Sequence, residues 1–336
     1  MLSSRTPFRI SFFGGGTDYP AWYLKEGGAV LSTTIDKYCY LNSRYLPPYF
    51  NIKHRIVWSH IETVNSISEI LHPAVRGGLH LLGFDDTAGL EIHHQGDLPA
   101  RAGMGSSSAF AVGLVNALTH LKGQKIGKKE LALKAIELEQ NVLKEHVGSQ
   151  DQVAAAYGGL NLILFGKNGD IEVKPVEISI ARLRDLESRL MLFYTGMNRL
   201  ASEVASGIIG NMPQKRQTLL KMRGMVDKAH SILTGSEDLD HFGRLLHEGW
   251  SLKRDLSDGV SNSKIDSVYE TAIKHGALGG KLLGAGGAGF MVFYVPLTRQ
   301  ENVRRALSGY LDVSFRFETH GSMVTDHETA WRKNGG

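Results

Sequence analysis

A short segment rich in glycine and serine is the part of the sequence best suited to bind an anion. Residues 99–109 read Pro-Ala-Arg-Ala-Gly-Met-Gly-Ser-Ser-Ser-Ala, and the pattern of a helix follows over residues 106–122. At a helix start the backbone N–H groups are unpaired and the helix dipole favours negative charge. Small residues also let the backbone approach an anion closely. The pattern predicts a phosphate-binding loop, and a serine-rich helix N-cap is the structural alternative.

Two aspartates stand in settings that are unusual for solvated acids. Asp151 follows Gly-Ser-Gln and precedes a run of small apolar residues, and Asp18 follows three consecutive glycines. The structural alternatives are a helix cap for Asp151 and, for Asp18, a turn residue that bonds its own backbone.

A second glycine cluster, residues 284–289, satisfies the pattern G-x-G-x-x-G. A dinucleotide-binding loop of this kind follows a strand and opens a helix. Here we expect a helical segment before the cluster and a strand at 289–295 after it, which argues against a dinucleotide site. Four glycines exceed what a tight turn needs, so we expect flexible backbone that lines an active site. A plain helix-to-strand turn is the alternative.

The elements that must position these residues form two sections. In the first we expect strands at 7–13, 28–45 and 87–93, helices at 106–122 and 128–145, and a strand pair at 158–166 and 170–178. In the second we expect strands at 189–195, 289–295 and 312–318, and helices at 214–233, 238–256, 264–275 and 298–308. This mixed order favours an α+β fold. The predicted domains are residues 1–181 and 182–336.

The composition sets limits on the class of protein. The chain has 336 residues, of which 42% are hydrophobic, enough for one large or two ordinary domains. Its one cysteine, Cys39, excludes an internal disulfide and a cysteine-rich metal site. No apolar run approaches the roughly 18 residues of a membrane span. We therefore expect a cytoplasmic protein without membrane contact. The net charge of +4 comes from dispersed basic residues, which argues against nucleic acid as a partner.

Three segments in this order resemble the GHMP kinases. They are TPFRISFFGGGTDY at residues 6–19, the loop at 99–109, and KLLGAGGAGF at 281–290. In the first segment Arg9 and the Thr-Asp-Tyr string parallel the galactokinase signature, but Gly15 and Gly16 replace its Glu-His pair. The string FGGGTD and the later GSQDQ at 148–152 are similar to the branch of heptose 7-phosphate kinases.

This resemblance implies a fold, a reaction and roles for individual residues. The implied fold has a ribosomal-protein-like N-terminal domain and a ferredoxin-like C-terminal domain. The implied reaction uses ATP and Mg²⁺ to phosphorylate the anomeric hydroxyl of a heptose 7-phosphate. Asp151 would be the catalytic base and Arg9 would stabilise the transferring charge. Ser107 and Glu139 would bind Mg²⁺, with Ser106 and Ser108 as alternatives to the serine and a surface ion pair as the alternative for Glu139.

The resemblance also predicts the binding residues. Those for ATP are Pro99, Arg101, Gly103, Met104, Gly105, Ser106, Ser107 and Ser108. Those for the substrate are Gly15, Gly16, Thr17, Asp18, Gly284, Gly286 and Gly287. The distal phosphate of such a substrate needs cations, and the sequence leaves five candidates open: Lys53, Arg55, Arg76, Lys253 and Arg254. Two other functions stay open, namely a kinase for another sugar and a non-catalytic sensor of sugar and ATP. A homodimer also stays open.

Overall fold

The computed structural model describes residues 1–196 and 201–327, without the side chains of 201–203. The strands of this part are β1 (Leu2–Phe13), β2 (Gly28–Leu46), β3 (His54–Val57), β4 (Ile61–Val64), β5 (Gly89–Gly96), β6 (Asn161–Phe165), β7 (Ile171–Pro175), β8 (Leu190–Tyr194), β9 (Gly279–Leu282), β10 (Phe290–Tyr294), β11 (Leu311–Asp312), β12 (Phe317–Glu318) and β13 (Met323–Asp326). The α-helices are α1 (Pro20–Glu26), α2 (Pro73–Leu81), α3 (Ser106–Leu121), α4 (Lys128–Ile136), α5 (Gln150–Tyr157), α6 (Ile180–Ser188), α7 (Ala201–Asn211), α8 (Arg216–Thr234), α9 (Asp240–Arg254), α10 (Ser263–Lys274) and α11 (Gln300–Ala306).

The larger sheet is built on the long antiparallel pair β1 and β2. Its order is β13-β1-β2-β5-β3-β4, with β6 and β12 also paired to β2, and β7 paired to β6. The central helix α3 is buried along most of its length and packs on β1 and β2. Gly113 permits this close approach, because a Cβ there would lie 2.8 Å from the hydroxyl oxygen of Thr6. The sheet and α3 thus form a rigid base for the loop that precedes α3.

The smaller sheet has the order β11-β8-β10-β9 and is antiparallel. Helix α9 packs on β9 and reaches the larger sheet through its Phe242 ring. That ring makes edge contacts with Phe12 and Phe13 of β1, at centroid distances of 5.3 and 5.2 Å. Aromatic edge contacts of this kind add to the free energy gained by burial. The two sheets therefore meet at the end of β1, where the triple glycine begins.

The predicted two-domain α+β architecture is confirmed, but the last strands do not belong to the second sheet. We expected one strand at 312–318; instead β11 pairs with β8 in the smaller sheet, whereas β12 pairs with β2 in the larger one. Strand β13 then pairs with β1. The chain after β11 thus returns from the second domain of the prediction to the sheet of the first.

Two other predictions were wrong in part. The helix expected over 128–145 is α-helical only to Ile136 and continues as a π-helix over Glu137–Val142. Its wider turn brings Glu139 into the interior, where the residue is 1% exposed. The helix predicted at 264–275 is present as α10, but an unpredicted strand, β9, lies between it and the second glycine cluster. Gly279 and Gly280 let β9 pack tightly, because a Cβ on either would strike Gly243 of α9 or Phe293 of β10. The dinucleotide interpretation still fails, because the cluster joins two antiparallel strands.

Within the described ranges, no helix combines the length and the apolar character that a membrane crossing requires.

His72 joins α2 to the start of α3. Its Nδ1 accepts a hydrogen bond from the N–H of Val75 at 3.4 Å, and its ring stacks on Phe110 at 4.8 Å between centroids. Burial lowers the pKa of His72 to about 4, and the nearby His94 acts in the same direction. The neutral ring is therefore the form that caps α2 and packs against α3.

We expect the stability of the protein to fall as the pH drops from about 6.5 to about 4. Over this range the unfolded histidine binds a proton and the folded one does not, so protonation favours unfolding by about 2 kcal/mol. His72→Asn keeps an N-cap acceptor but cannot bind a proton. Urea unfolding at pH 7 and pH 4.5 should show a smaller loss of stability for the variant. An equal loss in both proteins would contradict this account.

Candidate active site

The loop before α3 has the backbone shape of an anion-binding turn. Gly103 and Gly105 have φ angles of 79° and 74°, and Gly105 is the N-cap of α3. Arg101 also has a positive φ of 60°, and its N–H donates to the side-chain oxygen of Ser106 at 3.2 Å. In an L-residue other than glycine such a conformation is uncommon and often marks a functional turn. Ser107 is exposed at the helix start.

The second glycine cluster packs directly on this loop. A Cβ on Gly284 would lie 2.6 Å from the Cα of Gly103, and one on Gly289 would lie 2.2 Å from the carbonyl oxygen of Ala102. The N–H of Phe290 donates to the same carbonyl at 3.1 Å. The two motifs thus touch backbone to backbone, which only glycine allows.

Gly286 and Gly287 lie against another part of the second domain. A Cβ on Gly286 would lie 2.6 Å from the Cα of Val260, and the N–H of Gly287 donates to the Val260 carbonyl at 2.9 Å. The observed contacts of Gly284 and Gly286 therefore explain these glycines through packing, and the φ of 80° at Gly287 favours glycine there. Their contact with substrate stays a prediction.

Arg9 and Asp151 form a bidentate ion pair next to the loop. Arg9 Nε donates to Asp151 Oδ1 at 2.7 Å, and Nη2 donates to Oδ2 at 2.6 Å. The remaining Nη1 donates to the carbonyl of Gly103 at 2.7 Å, and the Arg9 N–H donates to the carbonyl of Met104 at 3.2 Å. The Arg9 side chain is 4% exposed and that of Asp151 is 21% exposed. The structure thus brings together, at the start of α3, two side chains that are 142 residues apart.

Asp18 lies on the other side of Asp151 and is buried. Its carboxylate accepts hydrogen bonds from the Gly16 N–H and from Gln150 Nε2, both at 2.9 Å. Burial raises the pKa of Asp18, and the negative charge of Asp151 raises it further. The buried hydroxyl of Thr17 donates to the Gly14 carbonyl within the turn. Thr17 thus stabilises the turn that precedes Asp18, and its contact with substrate stays a prediction.

Glu139 is not the surface acid that the alternative interpretation expected. It accepts hydrogen bonds from Ser108 Oγ at 2.7 Å and from Gln152 Nε2 at 2.5 Å, whereas its Oε1 has no partner. Burial raises the pKa of Glu139 to about 7, against the opposing effect of these hydrogen bonds. A surface ion pair is therefore excluded for this residue.

The residues around Glu139 fit a Mg²⁺ ion. Mg²⁺ prefers oxygen ligands and commonly takes only one or two carboxylates, with water and substrate phosphates completing its shell. Here an unpaired, buried carboxylate oxygen lies beside serine hydroxyls at the start of α3. Among the described residues no group of three or more His, Cys, Asp or Glu side chains could hold a metal. The donor set thus suits an ion that is shared with a nucleotide.

Two buried lysines complete the site. Lys253 Nζ donates to the carbonyls of Leu282 and Gly284 at 2.8 and 2.6 Å, and Lys281 Nζ donates to the carbonyl of Phe12 at 2.8 Å. Burial lowers the pKa of both lysines, that of Lys281 to about 7. Lys253 was predicted only as a candidate for a distal phosphate, and Lys281 was not predicted as a site residue. The sequence feature that could have indicated Lys281 is its place at the start of the third motif.

The other cations proposed for a distal phosphate do not converge on one place. Each is engaged with a different partner: Lys53 with the carbonyl of Asp86, Arg55 with Glu91, Arg76 with the carbonyl of Ile70, and Arg254 with Asp266.

The chain matches known protein families and individual proteins along most of its length. Residues 67–159 match the model of the GHMP kinases N terminal domain, and residues 229–312 match that of the GHMP kinases C terminal. D-glycero-alpha-D-manno-heptose 7-phosphate kinase of Campylobacter jejuni is 30% identical over 94% of this chain and 97% of its own length. The bifunctional fucokinase/GDP-fucose pyrophosphorylase of Arabidopsis thaliana is 28% identical over 84% of this chain and 29% of its own.

Solved structures agree with the sequence matches. The crystal structure of a D-glycero-D-manno-heptose 1-phosphate kinase from Bacteroides thetaiotaomicron has a TM-score of 0.80 and 25% identity, and covers 97% of this chain and 99% of its own. The structure of Lactococcus lactis galactokinase with galactose has a TM-score of 0.74 and 20% identity, and covers 96% of this chain and 95% of its own. The chain therefore belongs to the GHMP kinases and is a phosphotransferase of that family.

Proposed function

We propose that this protein is an ATP-dependent sugar kinase that phosphorylates the anomeric 1-hydroxyl of D-glycero-D-manno-heptose 7-phosphate, giving the 1,7-bisphosphate. The observation that carries the proposal is the Arg9–Asp151 pair, which lies against Gly105 at the start of α3. It is supported by the near full-length relationship to a heptose 7-phosphate kinase. The product suits the synthesis of a nucleotide-activated heptose.

In this proposal the residues of the loop before α3 bind and align the phosphates of ATP. Phosphoryl transfer depends mainly on alignment and on the neutralisation of charge. The unpaired N–H groups at the start of α3 would bind the phosphates of ATP, with Ser106 and Ser107 as additional donors. Ser107 and Glu139 would hold Mg²⁺, which neutralises phosphate charge when bound.

Arg9 and Asp151 would act on the acceptor. Because Arg9 donates to both carboxylate oxygens of Asp151, the carboxylate would act as a base that is held in one orientation. Such a base orients the sugar hydroxyl and takes its proton late, as the bond to phosphorus forms. The permanent guanidinium charge of Arg9 stabilises negative charge on the oxygens involved.

A kinase for another sugar is the second candidate. The relationship to two fucokinases, from Arabidopsis thaliana and Bacteroides fragilis, covers 84% and 85% of this chain and favours it. Both candidates use the same reacting groups and differ only in the acceptor.

Release of ADP over a panel of acceptors separates the two candidates. We expect turnover with D-glycero-D-manno-heptose 7-phosphate and much weaker turnover with fucose, galactose and N-acetylhexosamines. Turnover of a free sugar in the absence of any with the heptose phosphate would contradict the proposed substrate. The absence of all turnover, with retained binding of ATP and sugar, would indicate a sensor.

Asp151→Asn should lower kcat by about 10²–10⁴-fold because it removes the proton acceptor. The affinity for ATP should change little, since Asp151 does not belong to the loop. Asp255→Asn is the matched control, because Asp255 is 53% exposed and pairs only with groups at the surface. Steady-state kinetics and nucleotide titration measure both effects. An unchanged kcat in the Asp151 variant would refute the assigned role.

Glu139→Gln should raise the Mg²⁺ concentration needed for half-maximal activity by about ten-fold or more, because the substitution removes the carboxylate charge. Glu137→Gln, an exposed glutamate on the same turn, is the control and should behave as the wild type. Titration of activity with Mg²⁺ at saturating ATP measures the shift. Superimposable titration curves for wild type and Glu139→Gln would remove Glu139 from the metal site.

A further inference from the structure

The middle residue of the triple glycine has no structural reason to be glycine. Gly14 and Gly16 have φ angles of 84° and 102°, and a Cβ on Gly14 would lie 1.9 Å from the Ala29 carbonyl oxygen. Gly15 has no positive φ, and its nearest neighbours would lie 3.6 and 3.9 Å from a Cβ, which is ordinary van der Waals contact. Glycine costs conformational entropy on folding, so a position that could hold alanine needs another explanation.

The two atoms nearest to that missing Cβ belong to polar side chains with unsatisfied groups. They are Gln150 Nε2 and Ser11 Oγ. The Ser11 hydroxyl is buried without a hydrogen-bond partner, and so is the carbonyl oxygen Oε1 of Gln150. A buried polar group without a hydrogen-bond partner destabilises the folded protein, so two such groups beside one open space indicate a ligand that pairs with them.

Ser11 and Gln150 lie next to the residues of the proposed reacting centre. Ser11 follows Arg9 by two residues on a regular part of β1, so both side chains project from the same face of the strand. Gln150 directly precedes Asp151 at the start of α5, and its Nε2 donates to Asp18 Oδ2. This bond fixes the amide, because the reversed orientation would place its oxygen against a carboxylate oxygen. Gln150 Oε1 is therefore an acceptor that needs a donor from outside the protein.

We propose that Ser11 and Gln150 bind hydroxyl groups of the acceptor, and that Gly15 is glycine because the acceptor fills the space beside it. The inference rests on the proposed sugar kinase activity and extends its site. These side chains offer two hydrogen-bond acceptors, Asp18 and Gln150 Oε1, and one hydroxyl, Ser11 Oγ, that can donate or accept. Neighbouring hydroxyls of a polyol match these three groups, whereas a substrate with a single hydroxyl leaves most of them unpaired.

The test uses variants in which a structural role and a binding role predict opposite results. Gly15→Ala fits the available space, and Ser11→Ala removes an unsatisfied hydroxyl, so both should keep or raise the melting temperature. If the groups bind the acceptor, Ser11→Ala should weaken its binding by about three- to ten-fold, and Gly15→Ala by about ten-fold or more. Binding of an ATP analogue should not change.

Two controls match these variants in chemistry. Ser43 also has a buried, unpartnered hydroxyl, but on β2, and Gly224 lies in open space on α8. Ser43→Ala and Gly224→Ala should both leave acceptor binding unchanged.

Calorimetric titration of D-glycero-D-manno-heptose 7-phosphate, with the neutral hexoses in parallel, measures binding without turnover, and KM follows from the kinetic assay. If the wild type binds an acceptor and both variants bind it equally well, the inference is wrong and the proposed function stands. If the wild type phosphorylates no sugar but binds one with the expected dependence on Ser11 and Gly15, the proposed function is wrong and the inference stands. If the wild type binds none of these sugars, the inference is wrong as well.

Discussion

The ion pair between Arg9 and Asp151 is the interaction on which the site depends. Through it β1, the loop before α3 and the start of α5 are joined at one point, because Arg9 also bonds the carbonyls of Gly103 and Met104. Removing these charges from water is costly, and the bidentate geometry offsets that cost. A pair held in this way has little freedom, which suits a reaction that depends on alignment.

The second domain contributes support more than reacting groups. Its glycine motif lies backbone to backbone on the loop before α3, and Lys253 donates to the carbonyls of Leu282 and Gly284 at that motif. Lys281 reaches across to the carbonyl of Phe12, next to the turn that holds Asp18.

The sequence was informative wherever a residue type is needed for chemistry or for a special backbone shape. The motifs that contain the serine loop, Arg9, Asp18 and Asp151 were grouped through a family resemblance. The structure brings Arg9 and Asp151 together beside that loop, and the roles of these residues stay predictions. Lys281 was not predicted as a site residue, and no strand was predicted where it lies, in β9. Glycines at 279 and 280 favour that strand only through contacts with α9 and β10, which no local pattern reveals.

Contacts between distant segments account for the other differences. Strands β11 and β12 are two residues each, and whether each joins the smaller or the larger sheet depends on partners more than 100 residues away. Ser11 and Gln150 are unremarkable in sequence, since an unsatisfied group can be recognised only when all its neighbours are known. The turn role of Thr17 likewise follows from its contact with the Gly14 carbonyl.

A crystal structure with a non-hydrolysable ATP analogue, Mg²⁺ and D-glycero-D-manno-heptose 7-phosphate tests the central claim most directly. The account predicts the triphosphate on the N–H groups at the start of α3, and the anomeric oxygen within hydrogen-bond distance of Asp151, in line with the terminal phosphate. A nucleotide bound elsewhere, or an anomeric oxygen far from the Arg9–Asp151 pair, would contradict it.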